Sequence, residues 1–297
     1  MSEAAQAAIS ALNRGEDVRA SWPGLIVNQQ PDPDALQALG KELGAAGSHM
    51  RERIVRLLVD LGRATDPLTP RGADVIRNRR ILELLSGPGL AQPDAGREAA
   101  MDALRKLATP AALSSFAPEY VHSLESAPSV EGFLLVAKAK PMAAKLTVVR
   151  VATLAAWKPV EGARVARAAL GDTAIEDEFL QVASTAEAAS DGRALARALG
   201  TLGLIGTRRT LKAVAERLRT PLTILVPNAS EQSVRLSVLE ALLYNFPDQP
   251  ELYPNNINSD EGYAAAERFC TSTLGVTYTQ PRPPYMKFRG FPIPLAK

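Results

Sequence analysis

The residues of this chain best suited to nucleophilic or metal chemistry are few and far apart. The sequence contains one cysteine, Cys270, and two histidines, His49 and His122. A structural zinc site takes about four ligands, so these three residues make no convincing set without carboxylates. Cys270 follows Phe269 on the apolar side of a predicted helix, which indicates a buried structural thiol and not a nucleophile. We therefore expect no metal, no cofactor and no catalytic residue.

Acidic residues are concentrated on one predicted helix, but their spacing does not bring them together. Glu176, Asp177 and Glu178 are consecutive, so their side chains fan around the helix axis. Asp172 and Glu187 fall closer to the face of Glu176. The simplest interpretation of all five residues is a solvated helix surface.

Three glycines, Gly200, Gly203 and Gly206, are spaced three residues apart. No strand precedes them, so the spacing does not indicate a phosphate-binding loop. They lie within the apolar periodicity of a helix that ends at Gly206, which predicts close helix packing followed by a tight turn. The next helix has one apolar face at i, i+3, i+4 and i+7, formed by Leu211, Val214, Ala215 and Leu218.

This helix, turn and returning helix resemble the helical hairpin of HEAT repeats. The resemblance is clearest over residues 191–245 and weakest before residue 110. It implies an all-α fold in which about five hairpins stack into a right-handed α-α superhelix, because one hairpin cannot bury its apolar face alone. It also implies a surface that holds another macromolecule. Alkylpurine DNA glycosylases and phycobilin lyases are enzymes on HEAT-like scaffolds, but we recognise no motif of either class.

The elements that would position these residues are helices throughout. Apolar residues make up 46% of the chain and aromatic residues only 5%, with alanine and leucine dominant, as in all-α proteins. Asp32 or Asp34 is expected to cap one helix, and Ser48 the next. Periodicity, prolines and glycines predict that the helix after Asp32 or Asp34 runs to about Ala46. They predict further helices over residues 2–13, 49–63, 71–86, 94–108, 110–126, 130–139, 142–157, 160–170, 173–189, 191–205, 207–219, 230–245 and 260–274.

The order of these helices predicts three parts: an N-terminal helical cap and loop (1–47), the HEAT-like hairpins (48–275) and an extended tail (276–297). In the preferred register the hairpins begin near residues 49, 94, 142, 191 and 230, close to the repeat length of HEAT or armadillo units. This register leaves the helices over 130–139 and 173–189 as extra elements. A competing register pairs 130–139 with 142–157, and 160–170 with 173–189.

The tail differs in character from the helices. It contains five prolines, which exclude a helix, and four aromatic residues, which are too apolar for a solvated linker. We expect Tyr285, Phe288 and Phe291 to cover the last hairpins near Leu242 or Phe269. The alternative is a peptide that is disordered until it binds a partner.

Charges alternate along the chain in blocks. The formal net charge of +2 conceals blocks of +6 over 138–170, −6 over 171–192, +6 over 193–219 and −6 over 220–267. One interpretation is attraction between adjacent repeats. The other is a basic ladder on a concave surface, because pairs at i+3 or i+4 recur on predicted second helices. The candidate ladder consists of Arg77, Arg80, Arg164, Arg167, Arg208, Arg209 and Lys212.

These observations favour a non-enzymatic binding protein, such as a scaffold, an adaptor or an inhibitor; a toxin-neutralising immunity protein is one subcase. Its expected partner is a protein with an acidic surface. A nucleic-acid binder that uses the basic ladder is the first alternative, and a lyase or glycosylase is the second. No apolar run approaches the ~18 residues of a membrane span and no signal peptide is visible, so we expect a cytoplasmic protein without a membrane partner, unless a secretory signal has been removed.

Overall fold

The computed structural model describes residues 3–18, 22–65, 75–154, 161–224, 232–253 and 258–283. In these ranges the predicted all-α class is confirmed, with only two short antiparallel strand pairs. In each pair the strands are two residues long: β1 (Ile26–Val27) pairs with β2 (Gln30–Pro31), and β3 (Thr223–Ile224) pairs with β4 (Gln232–Ser233). The chain forms two compact units, Met1–Leu170 and Gly171–Lys297.

The first unit is built from eleven α-helices in its described residues. Short 3-10 turns over Pro88–Leu90 and Met142–Ala144 join some of them. The helices are α1 (Glu3–Arg14), α2 (Trp22–Leu25), α3 (Pro33–Ala45), α4 (Ser48–Ala64), α5 (Arg79–Ser86), α6 (Ala95–Leu107), α7 (Pro110–Ser114), α8 (Ala117–Ser126), α9 (Val130–Ala139), α10 (Lys145–Leu154) and α11 (Glu161–Ala169).

These helices form two rows. Helices α4, α6, α9 and α11 pack side by side in that order along much of their lengths. Helices α3, α5, α8 and α10 form the second, more loosely packed row, and the 3-10 turn after α5 fills part of it. Helix α1 packs on α3 and α4 at the start of the stack. Each helix of one row thus contacts a sequence neighbour in the other, as in a stack of helical hairpins.

The second unit has five α-helices in its described residues, and they also lie in two rows. Helices α12, α13 and α15 pack side by side, and α14 contacts α16 in the other row. Short 3-10 turns cover Arg217–Arg219 and Pro250–Leu252. The helices are α12 (Thr173–Ala188), α13 (Gly192–Ile205), α14 (Arg208–Glu216), α15 (Val234–Asn245) and α16 (Asp260–Leu274).

Most predicted helix boundaries agree with the structure because local capping chemistry sets them. Asp32 caps α3 through Ala35 N at 3.1 Å, as expected. Gly206 adopts the left-handed conformation that ends α13, and Thr207 caps α14. The predicted glycine turn between the two helices is therefore confirmed.

Three local predictions are wrong. Asn78, not an earlier residue, caps α5, so Arg77 lies before the helix and cannot pair along it with Arg80. The helix predicted over 110–126 is interrupted between α7 and α8, because Pro118, the second residue of α8, has no N–H to donate to an oxygen at the end of α7. Ser48 does not cap α4; its hydroxyl accepts a hydrogen bond from Ala95 N of α6 at 3.3 Å.

The preferred repeat register is also wrong over residues 130–170. It treated α9 as an extra helix, yet α9 lies in the same row as α4 and α6. It made α11 a second helix after α10, yet α11 follows α9 in that row. In the second unit, α13 and α14 form the predicted antiparallel hairpin. Residues 225–231, where a further helix was expected to begin, lie outside the described residues, and α15 begins at Val234.

A fully buried arginine joins the first hairpins of the stack. Arg51 of α4 donates to the carbonyl oxygen of Leu43 at the end of α3. Its guanidinium also donates to Pro88 O at 2.9 Å and Gly89 O at 3.2 Å, in the turn after α5. Its Nε lies 2.7 Å from the carboxylate of Asp94. One side chain thus satisfies backbone oxygens from two successive hairpins.

The same arrangement recurs farther along the first unit. Arg97 of α6 is almost fully buried and donates to Ser123 O of α8 and, at 2.8 Å, to Ala127 O beyond it. Lys138 of α9 donates to the Arg105 carbonyl near the end of α6. Burial, with the Arg105 guanidinium nearby, lowers the pKa of Lys138 to about 7. Cationic groups therefore occupy the joints between helix ends, where carbonyl oxygens lack helical partners.

In the second unit, small and polar residues make the closest joint. A Cβ at Gly203 would lie only 2.7 Å from the Cβ of Ala241, so α13 and α15 cross where one residue has no side chain. Asn245 Nδ2 donates to Gly203 O at 2.7 Å. Gly200, one turn away, has nothing within 4 Å of such a Cβ. The predicted close packing therefore involves Gly203 and not Gly200.

None of the helices in the described ranges combines the length and apolar character needed to cross a bilayer.

We expect Arg51→Met to lower the free energy of unfolding by about 3–5 kcal/mol, because it leaves Asp94 and three backbone oxygens without their buried partner. Urea unfolding followed by circular dichroism measures this loss. Arg56→Met is the matched control on the same helix, since its side chain is exposed and its ion pair, among the residues that the structure describes, is with Glu52 of the same helix. Equal effects of the two substitutions would contradict the joint.

We expect opposite effects from alanine at the two neighbouring glycines of α13. Gly203→Ala should lower the free energy of unfolding by about 1–3 kcal/mol through its clash with Ala241. Gly200→Ala should raise it by about 0.5–1 kcal/mol, because alanine favours a helix and meets nothing there. Both values come from the same urea titration, and a stable Gly203→Ala protein would place the helix crossing elsewhere.

Candidate interaction surface

The residues that suggested nucleophilic or metal chemistry are not assembled into a site. Cys270 is fully buried on α16, and burial raises the pKa of its thiol to about 11. The predicted burial of this cysteine is confirmed. His49 lies exposed at the start of α4, and His122 lies exposed on α8, both in the first unit. In the described part of the chain, no three His, Cys, Asp or Glu side chains converge.

The acidic residues of α12 hold neighbouring helices of the second unit. Asp172 caps α12 itself. Glu176 is buried, and the Thr207 hydroxyl donates to it at the start of α14. Arg209 lies 2.5 Å from Asp177 and 3.7 Å from Glu176. The sequence pattern could not predict these contacts, because the acidic residues of α12 contact residues more than thirty positions later in the chain.

These contacts divide the candidate ladder residues of α14. Arg209 is committed to the acids of α12. Arg208 and Lys212 are exposed and make no ion pair with the described residues. Arg217, just after α14, forms a similar ion pair with Glu187 of α12, at 3.0 Å. Within the second unit, opposite charge blocks therefore do attract adjacent helices, while two basic side chains stay accessible.

The candidate ladder residues of the first unit are split between its two rows. Arg80 is on α5, in the loosely packed row, and pairs with Glu83 at 3.2 Å. Arg77 precedes that helix. Arg164 and Arg167 are half-buried on α11, in the closely packed row. The expectation that both pairs occupy equivalent second helices is therefore wrong, and a binding role for these residues stays a prediction.

A groove of about 670 Å³ lies between α4 and α6 in the first unit. Both helices begin at the same end of the groove, since Ser48 contacts the N-terminus of α6 and Gly96 lies against Arg51. Each helix contributes one face at i, i+3, i+4, i+7, i+8 and i+11. The floor is apolar and consists of Val55, Val59, Ala95, Ala99, Ala103 and Leu107.

The charged rim of this groove is largely ion-paired with itself. On α4, Arg56 lies 2.6 Å from Glu52, and Arg63 lies 4.0 Å from Asp60. On α6, Asp102 accepts from both neighbouring cations of the same helix, at 2.9 and 3.2 Å. Glu98 has no ion pair among the described residues. Among the rim residues that the structure describes, Glu98 is therefore the carboxylate without an ion pair.

A second opening, of about 520 Å³, continues from α6 to the start of α9. Glu98 and Asp102 line both openings, and Glu131 of α9 lines the second one. Glu131 is half-exposed and, within the described ranges, also has no ion pair. Arg97, the cation of this opening, is directed into the α8 joint. The accessible face across α4, α6 and α9 thus carries an excess of negative charge.

This acidic face was not anticipated from the sequence. The candidate site residues were cations, whereas the openings are framed by Glu98, Asp102 and Glu131. The available signal was the alanine spacing Ala95, Ala99 and Ala103, which leaves room beside a helix. Alanine also favours any helix, so that signal was not specific.

A second polar cluster lies in the second unit around Glu267 of α16. Its carboxylate is 2.7 Å from Arg219 Nε and 2.6 Å from Arg282 Nη2. Arg219 stacks on the ring of Tyr278, and Arg282 stacks on the ring of Tyr263. Burial alone would raise the pKa of Glu267, but the hydrogen bonds from the two arginines outweigh it and leave the pKa below its ordinary value.

This cluster fixes residues 276–283 against the second unit. Val276 is buried, and the Tyr278 hydroxyl donates to Ala215 O of α14 at 2.9 Å. Arg219 also donates to the Gln280 carbonyl. The described start of the tail thus packs on α14 and α16. Tyr285, Phe288 and Phe291, for which a cap was predicted, lie outside the described residues.

We expect Glu267→Gln to lower the free energy of unfolding by about 1–3 kcal/mol at pH 7, because both arginines lose their charged acceptor. The folded-state pKa is depressed, so the carboxylate stabilises the fold above about pH 4.5 and loses this effect as pH falls through its folded pKa. Melting temperatures from pH 7 to pH 3 should therefore converge for the two proteins. The exposed Glu261→Gln variant of the same helix is the control, and a constant gap across this range would refute the assignment.

Comparison of the chain with models of protein families, with curated proteins and with solved structures gives no match.

Proposed function

We propose that this protein is a non-enzymatic, HEAT-like α-solenoid that holds another protein, as a scaffold, an adaptor or an inhibitor. The observation that carries the proposal is the groove between α4 and α6, which has an apolar floor and a rim of charges. Apolar area surrounded by polar groups is typical of surfaces that bind proteins.

The use of the buried polar groups supports binding over catalysis. Arg51, Arg97 and Lys138 donate to backbone carbonyls between helices, and Glu267 is saturated by two arginines. An active site usually exposes perturbed polar groups to a cleft, where they can reach a substrate. The shifted pKa values of Lys138 and Cys270 belong instead to buried side chains.

The two-row packing in each unit supports a curved stack. We place the closely packed row on the inside of such a curve, since its helices contact one another along more of their lengths than those of the other row do. We propose a right-handed superhelix with the α4–α6 groove on its inner side, and an extended proline-rich tail that continues from residues 276–283. The toxin-neutralising subcase and the cytoplasmic location stay predictions.

Nucleic-acid binding is the second candidate, and one observation favours it. Arg208 and Lys212 are exposed at i and i+4 on α14 without ion pairs among the described residues. Binding through several phosphates would weaken steeply as salt rises. Two free cations are few for such a surface, and Arg209 beside them is already neutralised.

We expect Ala99→Trp to abolish capture of the partner, because the indole would fill the groove from its half-exposed floor. The measurement uses the tagged full chain in host extract, with chemical cross-linking and mass spectrometry to locate the contact. Ala188→Trp, on the exposed part of α12, is the control variant. Cross-links on α4 and α6 that vanish only with Ala99→Trp support the proposal. Capture that survives Ala99→Trp with both proteins folded would overturn it.

A further inference from the structure

We propose that the occupant of the α4–α6 groove is a basic amphipathic helix of three to four turns, supplied by the partner protein. This inference rests on the proposed function and specifies its partner. It differs from the acidic partner that the sequence suggested, because the accessible face around the groove carries an excess of carboxylates.

The shape of the groove fits the ridge of a helix. Ala95, Ala99 and Ala103 repeat at i, i+4 and i+8 on the α6 side of the floor, and Val55 and Val59 form its α4 side. Rows of side chains four residues apart on one helix fit between such rows on another. From Ala95 to Lys106 the α6 side of the groove extends about 16 Å at about 1.5 Å per residue, and this length limits the bound segment to three or four helical turns. The apolar floor favours leucine-like side chains along the buried face.

The charges select the sign of the occupant. The three rim cations, Arg56, Arg63 and Lys106, already lie within 2.6 to 4.0 Å of rim carboxylates. An acidic helix would compete with those carboxylates for the same cations. Glu98 and Glu131, in contrast, have no ion pair in the described part of the chain, so lysine or arginine of an incoming helix meets charges that are available. Opposite charges around an apolar contact increase the association rate and fix its register.

A designed peptide tests the proposal without knowledge of the natural partner. The probe is a fluorescein-labelled 18-residue peptide of leucine and lysine, patterned as an amphipathic helix and titrated with the full-length protein. Peptides with glutamate in place of lysine, or with the leucine and lysine order scrambled, are the controls. We expect saturable binding of the patterned leucine–lysine peptide, followed by fluorescence anisotropy, and at least tenfold weaker binding of both controls.

Two variants locate the binding and keep the test independent of misfolding. The double variant Glu98→Lys with Glu131→Lys should bind the leucine–lysine peptide at least tenfold more weakly. Its melting temperature should differ from that of the unmodified protein by no more than about a degree or two. Glu119→Lys with Glu261→Lys makes the same change of net charge at exposed positions outside the groove. Equal weakening by the two double variants would reduce the effect to overall charge and overturn the proposal.

The remaining outcomes separate this inference from the proposed function. Stronger binding of the leucine–glutamate peptide would show an occupant of the opposite sign. Peptide binding that survives Ala99→Trp would place the contact on another surface. If cross-links from host extract still map to α4 and α6 while the leucine–lysine peptide fails to bind, the protein-binding function stands and the basic helix is rejected.

Discussion

The carbonyl oxygens at helix ends are the constraint on which this structure depends. The last turn of every α-helix leaves carbonyls without helical partners, and a stack of short helices contains many such ends. Where these ends are buried between hairpins, each unsatisfied oxygen would cost free energy. Polar side chains from a neighbouring element donate hydrogen bonds to these oxygens, as Arg51, Arg97 and Lys138 do in the first unit. Asn245 and Tyr263 do the same in the second unit.

This solution explains how the charged residues are used. A buried guanidinium is costly unless several oxygens surround it, and Arg51 meets three carbonyls and one carboxylate. Some of the many basic side chains are therefore buried between helices, where they bind backbone oxygens. Those at the surface are often neutralised by a neighbour, as Arg209 is by Asp177. The face across α4, α6 and α9 is consequently more acidic than the formal charge of +2 suggests.

Local features of the fold could be predicted from the sequence, whereas the positions of helices relative to one another could not. The Gly206 turn, the Asp32 cap and the burial of Leu211 depend on residues a few positions apart, and they were found. Row membership of α9 and α11 depends on contacts between distant segments, so the predicted register failed there. Ser48 shows the same limit, since its hydroxyl has the right type for a cap but serves another helix.

The candidate groove was missed for a related physical reason. The groove is deep because Ala95, Ala99 and Ala103 have small side chains. The sign of its charge depends on which carboxylates have no ion pair after folding. Neither property belongs to a single residue, because each emerges only when two helices lie side by side. The predicted placement of Arg77 and Arg80 on one helix was wrong for the same reason, since their spacing fixed neither the start of α5 nor its row.

The double reach of Arg51 has an evolutionary consequence. Repeat proteins commonly gain or lose whole units by duplication and deletion, because each unit contacts only its neighbours. Here the guanidinium bonds to Leu43 in its own hairpin and to Pro88 and Gly89 in the following one. An inserted or deleted hairpin at this junction would part the arginine from the acceptors that the following hairpin supplies. A change in the number of hairpins at this position would therefore require a substitution of Arg51 as well. The number of hairpins is thus more constrained here than in a repeat protein whose units are interchangeable.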